Sequence, residues 1–187
     1  MKKITVFGAT GGTGKQFVEQ ALASRNEVVA YVRNPSKLGI VDEHLSIVQG
    51  ELTDVALIER AITGADAVIS PLGPRGDSKN KPLTQGMQKI IAAMKKQGMH
   101  RLIITSTLSA QDSNDKPEFR ARFLVGLVKH IMNDAYEDIV SVADVVRASD
   151  LDWTILRLTM LNNKPKSGKV RAWLPGQRRG RQWHFTR

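Results

Sequence analysis

Residues 4 to 14 read Ile-Thr-Val-Phe-Gly-Ala-Thr-Gly-Gly-Thr-Gly, a short apolar run entering a glycine-rich loop. Helix-forming residues follow from Lys15. A strand that delivers its C-terminal end to a helix N-terminus makes an anion site. The first-turn amides lack intrahelical acceptors, and the helix dipole favours negative charge there. Gly8, Gly11, Gly12 and Gly14, with the small residues Thr10 and Thr13, let a phosphate approach the backbone. The chemistry to expect is dinucleotide binding.

The spacing is Gly8-x-x-Gly11-x-x-Gly14. A nucleoside-triphosphate P-loop does not fit. It needs glycine where Ala9 stands, and Ser or Thr after the lysine, where Gln16 stands. The second informative position ends the next apolar run. An NAD site usually places Asp or Glu there to accept from the ribose hydroxyls. Here Arg33 stands there, with Ser36 and Lys37 close behind. A guanidinium, a hydroxyl and an ammonium suit a 2′-phosphate, so NADP(H) is expected over NAD(H).

These residues need a scaffold, and the patterning supplies one. Apolar runs at 3–7, 28–32, 46–50, 67–70, 101–105 and 153–156 read as strands. Amphipathic segments at 14–24, 55–61 and 84–97 read as helices, with Asp54 as an N-cap and Gly64 and Gly98 as stops. Pro117 to Ser149 is helical in character, with a break near Asn133-Asp134. Strands alternating with helices predict a Rossmann-type, doubly wound parallel sheet in an α/β single domain. Residues 1–163 are expected to form it, and 164–187 to continue it, with a short strand near Lys169–Leu174.

Bulk properties narrow the classes. The chain has 187 residues, 41% of them apolar and 25% charged, as in ordinary globular domains. With no cysteine, disulfide scaffolds and thiolate chemistry are excluded, which fits a cytoplasmic setting. No leader or apolar run long enough to span a membrane is read. The four histidines show no metal-ligand spacing, so no metal is expected. The net charge is +10, yet the segment from Lys164 onward holds eight of the 28 Lys and Arg and no acid. The body is nearly neutral. Nucleic-acid binding would therefore rest on the tail alone, around Arg178, Arg179, Arg181 and Trp183. The plainer reading of that segment is a late strand of the same domain.

Gly8-Ala9-Thr10-Gly11-Gly12-Thr13-Gly14, Tyr31-Val32-Arg33-Asn34, Leu72-Gly73 and Thr105-Ser106 together resemble the atypical short-chain dehydrogenase/reductases. Within that group the chain is similar to the NmrA-like and biliverdin-IX-beta reductase/flavin reductase proteins, over residues 2 to about 170. The resemblance implies that Thr10, Gly11, Gly12 and Thr13 contact the pyrophosphate, and that Arg33 with Ser36 or Lys37 holds the 2′-phosphate. It implies that Glu51 and Leu52 flank the adenine. Pro71, Leu72, Gly73 and Arg75 would line the ribose, and Ser106, the candidate catalytic residue, would sit beside the nicotinamide.

The chain departs from the family where proton transfer is concerned. Tyr136 is followed four residues later by Val140, so the Tyr-x-x-x-Lys dyad is absent. Met160 stands where the biliverdin reductase-like members carry histidine, and Arg157-Leu158 replaces the usual Arg-Pro. Methionine cannot donate a proton. A flavin or quinone acceptor needs little acid catalysis, so direct hydride transfer to such an acceptor is the expected activity. A non-catalytic NADP-sensing regulator is the alternative. Relatives usually continue into a further helix, so the C-terminal part is expected to be truncated, with self-association as a consequence.

Overall fold

The computed structural model describes residues 1–74, 76–115, 126, 129–158, 161, 169–172 and 181–184. Six strands form one sheet: β1 (Lys3–Phe7), β2 (Glu27–Val32), β3 (Leu45–Gln49), β4 (Ala67–Ser70), β5 (Arg101–Ser106) and β6 (Asp152–Arg157). Every pairing in it is parallel, in the order β3-β2-β1-β4-β5-β6. The order reverses beside β1, between the β1–β2 and β1–β4 pairs. A crevice opens at such a switch point, outside the carboxyl ends of the strands.

Among the described residues, the helices packed on the sheet are α1 (Gly12–Ala23), α2 (Val55–Ile62), α3 (Pro82–Lys96) and α4 (Asn133–Arg147). On one face Val18, Ala21 and Leu22 of α1 pack against Val6, Val28 and Ala30. On the other, Ile58 and Ile62 of α2, Met87, Ile90 and Met94 of α3 and Val146 of α4 pack on Phe7, Tyr31, Val68, Leu102 and Ile104. Side chains alternate across a strand, so residues two apart share a face. Covering both faces explains why β1, β2 and β4 are nearly continuous apolar runs.

The sequence expectations match in element type, with ends displaced by one or two residues. Gly64 and Gly98 lie in the left-handed region, at φ 70° and 65°, as helix stops require. Helical backbone at 129–131 is interrupted at Met132, where φ is −130°, and residues 117–125, part of the expected helical stretch, lie outside the described residues. One detail differs. Asp54 precedes α2 but makes no side-chain bond to its first turn. Its Oδ2 accepts from the Glu51 amide at 2.8 Å, because the chain doubles back there from β3.

Lys169–Ala172 (β7) and Arg181–His184 (β8) pair antiparallel as a separate two-stranded sheet. Arg178, Arg179 and Phe185 of the basic segment lie outside the described residues, as do Arg75 and Met160. Among the described residues no helix is long and apolar enough to cross a membrane.

Candidate functional site

The loop from β1 to α1 is built around two glycines that no other residue could replace. Gly8 has φ 86°, a region L side chains avoid. At Gly14 a Cβ would lie 2.2 Å from the Gly8 oxygen and 2.9 Å from Ala9 Cα, so helix and strand approach too closely for any side chain. Gly11 is the N-cap of α1 and has no side chain to satisfy the first turn. Its amide bonds the Gly8 oxygen at 3.1 Å, and Lys15 N bonds the Gly11 oxygen at 2.8 Å. The Gly12, Thr13 and Gly14 amides take no main-chain acceptor among the described residues. The first turn holds no acidic residue, and a Cβ on Gly12 would meet nothing within 4 Å. Uncapped amides beside open space, with no competing carboxylate, form a cradle that fits a diphosphate.

Arg33 is exposed just past β2. Its main-chain oxygen accepts from Gln49 Nε2 at 3.3 Å, and its guanidinium pairs with no carboxylate among the described residues. Asn34 Oδ1 accepts from both the Ser36 amide, at 3.0 Å, and the Ser36 hydroxyl, at 2.7 Å. The Ser36 proton is thereby committed within the turn, whereas Arg33 and Lys37 keep their charged donors exposed. No acid stands at this strand end to receive ribose hydroxyls.

Glu51 and Leu52 follow β3 in a braced bend. Tyr31 donates from its hydroxyl to the Glu51 oxygen at 2.6 Å. Its ring lies 4.9 Å from that of Phe7. Burial, then the negative charges of Asp54 and Glu51, push the Tyr31 phenol up to about 12. Gly50 leaves room for that hydroxyl, because a Cβ there would sit 2.4 Å from it. Leu52 packs against α3 so closely that a Cβ on Gly86 would lie 2.8 Å from Leu52 Cδ1.

Beside the glycine loop a cavity of about 240 Å³ opens at the ends of β4 and β5. Thr13 forms part of its wall, which joins it to the cradle. Pro71, Leu72, Gly73 and Ser106 line it together, so the structure brings these predicted residues to one place. Sequence reasoning missed other parts of the wall, among them Ser70, Ile104 and Thr105 from the sheet, Thr107 just past β5, Leu83 and Met87 from α3, and Ile139 and Val142 from α4. Ser70 carries the one local signal, a polar residue ending an otherwise apolar strand. It is 1% exposed, and its hydroxyl has no hydrogen-bond partner among the described residues.

No titratable side chain lines the cavity among the described residues. Tyr136 is not in its wall; its ring instead lies 5.8 Å from the Lys129 ammonium. The face that α4 turns to the cavity is Ile139 and Val142. The described wall can hold an apolar ring and orient it through hydroxyls.

The family described as NAD(P)H-binding matches the chain over residues 8–183. The chain belongs to this NAD(P)H-binding family. Its glycine loop, uncapped helix and strand-end crevice are the parts such binding requires. Oxidoreductase GME11367 of Pestalotiopsis microspora is 32% identical over 181 residues, covering 88% of this chain and 66% of its own length. Among solved structures, a short-chain dehydrogenase/reductase of Veillonella parvula DSM 2008 in complex with NADP is 23% identical. It has a TM-score of 0.70 and covers 89% of this chain and 73% of its own. ChuY, an anaerobillin reductase of Escherichia coli O157:H7, is 23% identical with a TM-score of 0.69, over 91% and 79%. These structural likenesses establish the Rossmann fold, in agreement with the resemblance read from the sequence. The chain spans between 52% and 68% of the length of the curated relatives it matches.

Proposed function

We propose that this NAD(P)H-binding chain is an oxidoreductase that prefers NADP(H) and reduces a flat conjugated acceptor, a flavin or quinone, by direct hydride transfer. The observation that carries this reading is the cavity wall. It adjoins the phosphate cradle through Thr13, is mainly apolar, and holds no titratable group among the described residues. An acceptor whose proton comes from solvent suits such a wall, whereas a simple ketone calls for a positioned acid.

In this reading the Gly12, Thr13 and Gly14 amides hold the pyrophosphate, with Thr10 and Gly11 completing the loop. Arg33 and Lys37 hold the 2′-phosphate; the Ser36 hydroxyl, committed to Asn34, orders the turn between them. Glu51 and Leu52 flank the adenine on the bend braced by Tyr31. Pro71, Leu72 and Gly73 line the ribose, and Ser106 sits beside the nicotinamide. NADPH, when bound, supplies the hydride. The apolar side chains of α3 and α4 exclude water from that place.

The reading is supported by the family match and by relatives whose names are oxidoreductase and reductase. Calorimetric titration with NADPH and NADH tests the cofactor. NADPH is expected to bind more tightly, and Arg33→Ala to weaken it by about 1–3 kcal/mol, the range for a charge-assisted contact, with NADH unaffected. Equal affinities would sink the Arg33 assignment. Turnover of NADPH with flavin and quinone acceptors tests the reaction. Tight NADPH binding without multiple turnover would instead mark a non-catalytic NADP(H) sensor.

A further inference from the structure

Two buried side-chain polar atoms lack a hydrogen-bond partner among the described residues, Ser70 Oγ and Arg147 Nε. The Arg147 guanidinium is otherwise engaged, with Asp144 and with the Ala110 oxygen. The Ser70 hydroxyl is not engaged at all, and it belongs to the cavity wall. An unpartnered buried hydroxyl destabilises a protein until something hydrogen-bonds it. An apolar residue would close β4 without that cost, as Val68 does two residues earlier on the same face.

The register places Ser70 within the slot. It pairs with Ile104, so Ser106 projects from the same face two residues, about 6–7 Å, nearer the strand ends. One hydroxyl lies deep and one near the rim, with Leu72, Met87 and Ile104 among the apolar groups around them. Among the described residues no cation lines the slot, and an uncharged ring asks for none. The volume of about 240 Å³ is shared with the ribose and nicotinamide read beside Leu72 and Ser106, so what is left suits only a compact ring.

We propose that Ser70 is the polar anchor at the deep end of the acceptor slot, its hydroxyl donating to a carbonyl oxygen of a compact, uncharged, flat ring. This rests on the reading of the slot as the acceptor site and narrows it. The acceptor enters carbonyl first, and any charged substituent stays outside. Ser70 binds and orients the ring without exchanging a proton with it.

The test uses the full chain saturated with NADP+, so that no turnover occurs, and 1,4-naphthoquinone as the probe. Calorimetry compares wild type with Ser70→Ala. The variant is expected to bind the quinone about 3- to 10-fold more weakly, the range for one net hydrogen bond. Naphthalene, which has the ring but no carbonyl, should bind both proteins alike. The NADP+ affinity should be unchanged, and the ligand-free Tm equal or higher, since the variant removes an unpaired polar group. Equal quinone affinity in the two proteins would overturn the proposal, as would failure of the wild type to bind the quinone. A loss of NADP+ affinity would overturn it by turning the hydroxyl toward the cofactor. A lower ligand-free Tm would assign Ser70 a structural partner and overturn it too. Failure of the wild type to bind NADP+ at all would be a failure of the cofactor reading, and is scored separately before the probe is added.

Discussion

Thr84 and Asp138, 54 positions apart, tie the start of α3 to the middle of α4. The Asp138 Oδ1 accepts from the Thr84 amide at 2.9 Å and from its hydroxyl at 2.7 Å, and Oδ2 accepts from the Leu83 amide at 3.0 Å. Residue 81, which precedes α3, is in the left-handed conformation and offers no side-chain cap. The carboxylate of a neighbouring helix therefore satisfies the first turn of α3 and places a negative charge at its positive end. Because Leu83 from α3 and Ile139 from α4 both line the cavity, this tie holds two of its walls together.

Removing that carboxylate should be felt in stability first. Asp138→Ala leaves the Leu83 and Thr84 amides without acceptors, at a place where Asp138 is fully buried, Thr84 buried and Leu83 half-buried. A loss of about 2–3 kcal/mol is expected, the sum of a lost cap and an unsatisfied donor. Urea unfolding measures it directly. A loss below about 0.5 kcal/mol would show that the α3 terminus finds another acceptor.

The two ends of the glycine loop should respond in opposite ways to a methyl group. Gly14→Ala drives a Cβ into the Gly8 oxygen and should destabilise the fold by about 1–3 kcal/mol or more. Gly12→Ala meets open space and should leave the Tm nearly unchanged while weakening NADPH binding, since the methyl occupies the approach of the diphosphate. Equal losses of stability in the two variants would contradict the geometry of the loop.

The brace under the Glu51–Leu52 bend is open to spectroscopy. With its phenol pushed up to about 12, Tyr31 stays neutral when folded at pH values that ionise it in the unfolded chain. Its folded pKa is raised, so its contribution to stability is complete below the unfolded value near 10 and is lost as pH rises from there toward 12. Ultraviolet titration of the wild type and Tyr31→Phe should differ by one tyrosine that ionises only near pH 12. Tyr31→Phe should also cost about 0.5–1.5 kcal/mol, from the lost bond to the Glu51 oxygen.

On the acid side, the loop after β5 should loosen through a different pair. Arg157 of β6 binds Asp115, with Nη2 to Oδ1 at 2.7 Å and a second bond from Nη1 to Oδ2. The Arg157 bond, and then the Asp112 amide, hold the Asp115 carboxyl below its ordinary range against the opposing effect of burial. A depressed carboxyl contributes stability above its unfolded value, near 3.9, and loses it as pH falls through the folded value. The Tm difference between wild type and Asp115→Asn should therefore be full at pH 6–7 and shrink below about pH 4. A difference independent of pH would assign the effect to packing. The Arg157 pKa is raised by the same pair, so the guanidinium stays charged throughout this range.

Much of this protein is written in short stretches of its sequence. The β1 strand, the glycine loop and α1 follow from neighbouring residues, because strand and helix periods and glycine conformations act over a few positions. Arg33 at the end of β2 is legible for the same reason: the strand end one crossover past the loop has a fixed relation to it in such a fold. The absence of a Tyr-x-x-x-Lys dyad is likewise a matter of spacing along one helix.

The cavity, the α3 cap and the braced bend are not local in that sense. Alternation places Ser70 on the same strand face as Val68, but not what lies opposite it. Only the packing of α3 and α4 over β4 and β5 encloses its hydroxyl beside Ile104, Met87 and Ser106 without a partner. Asp138 reads in sequence as one more acidic residue on a helix, and its burial at 0% exposure follows from where the next helix begins. The sequence by itself determined the strands, the glycine loop and the cation at the β2 end, since each depends on residues adjacent in the chain. The tertiary structure alone decided the shape and polarity of the slot, because these depend on which side chains, from Thr13 to Leu161, the folded chain brings within contact.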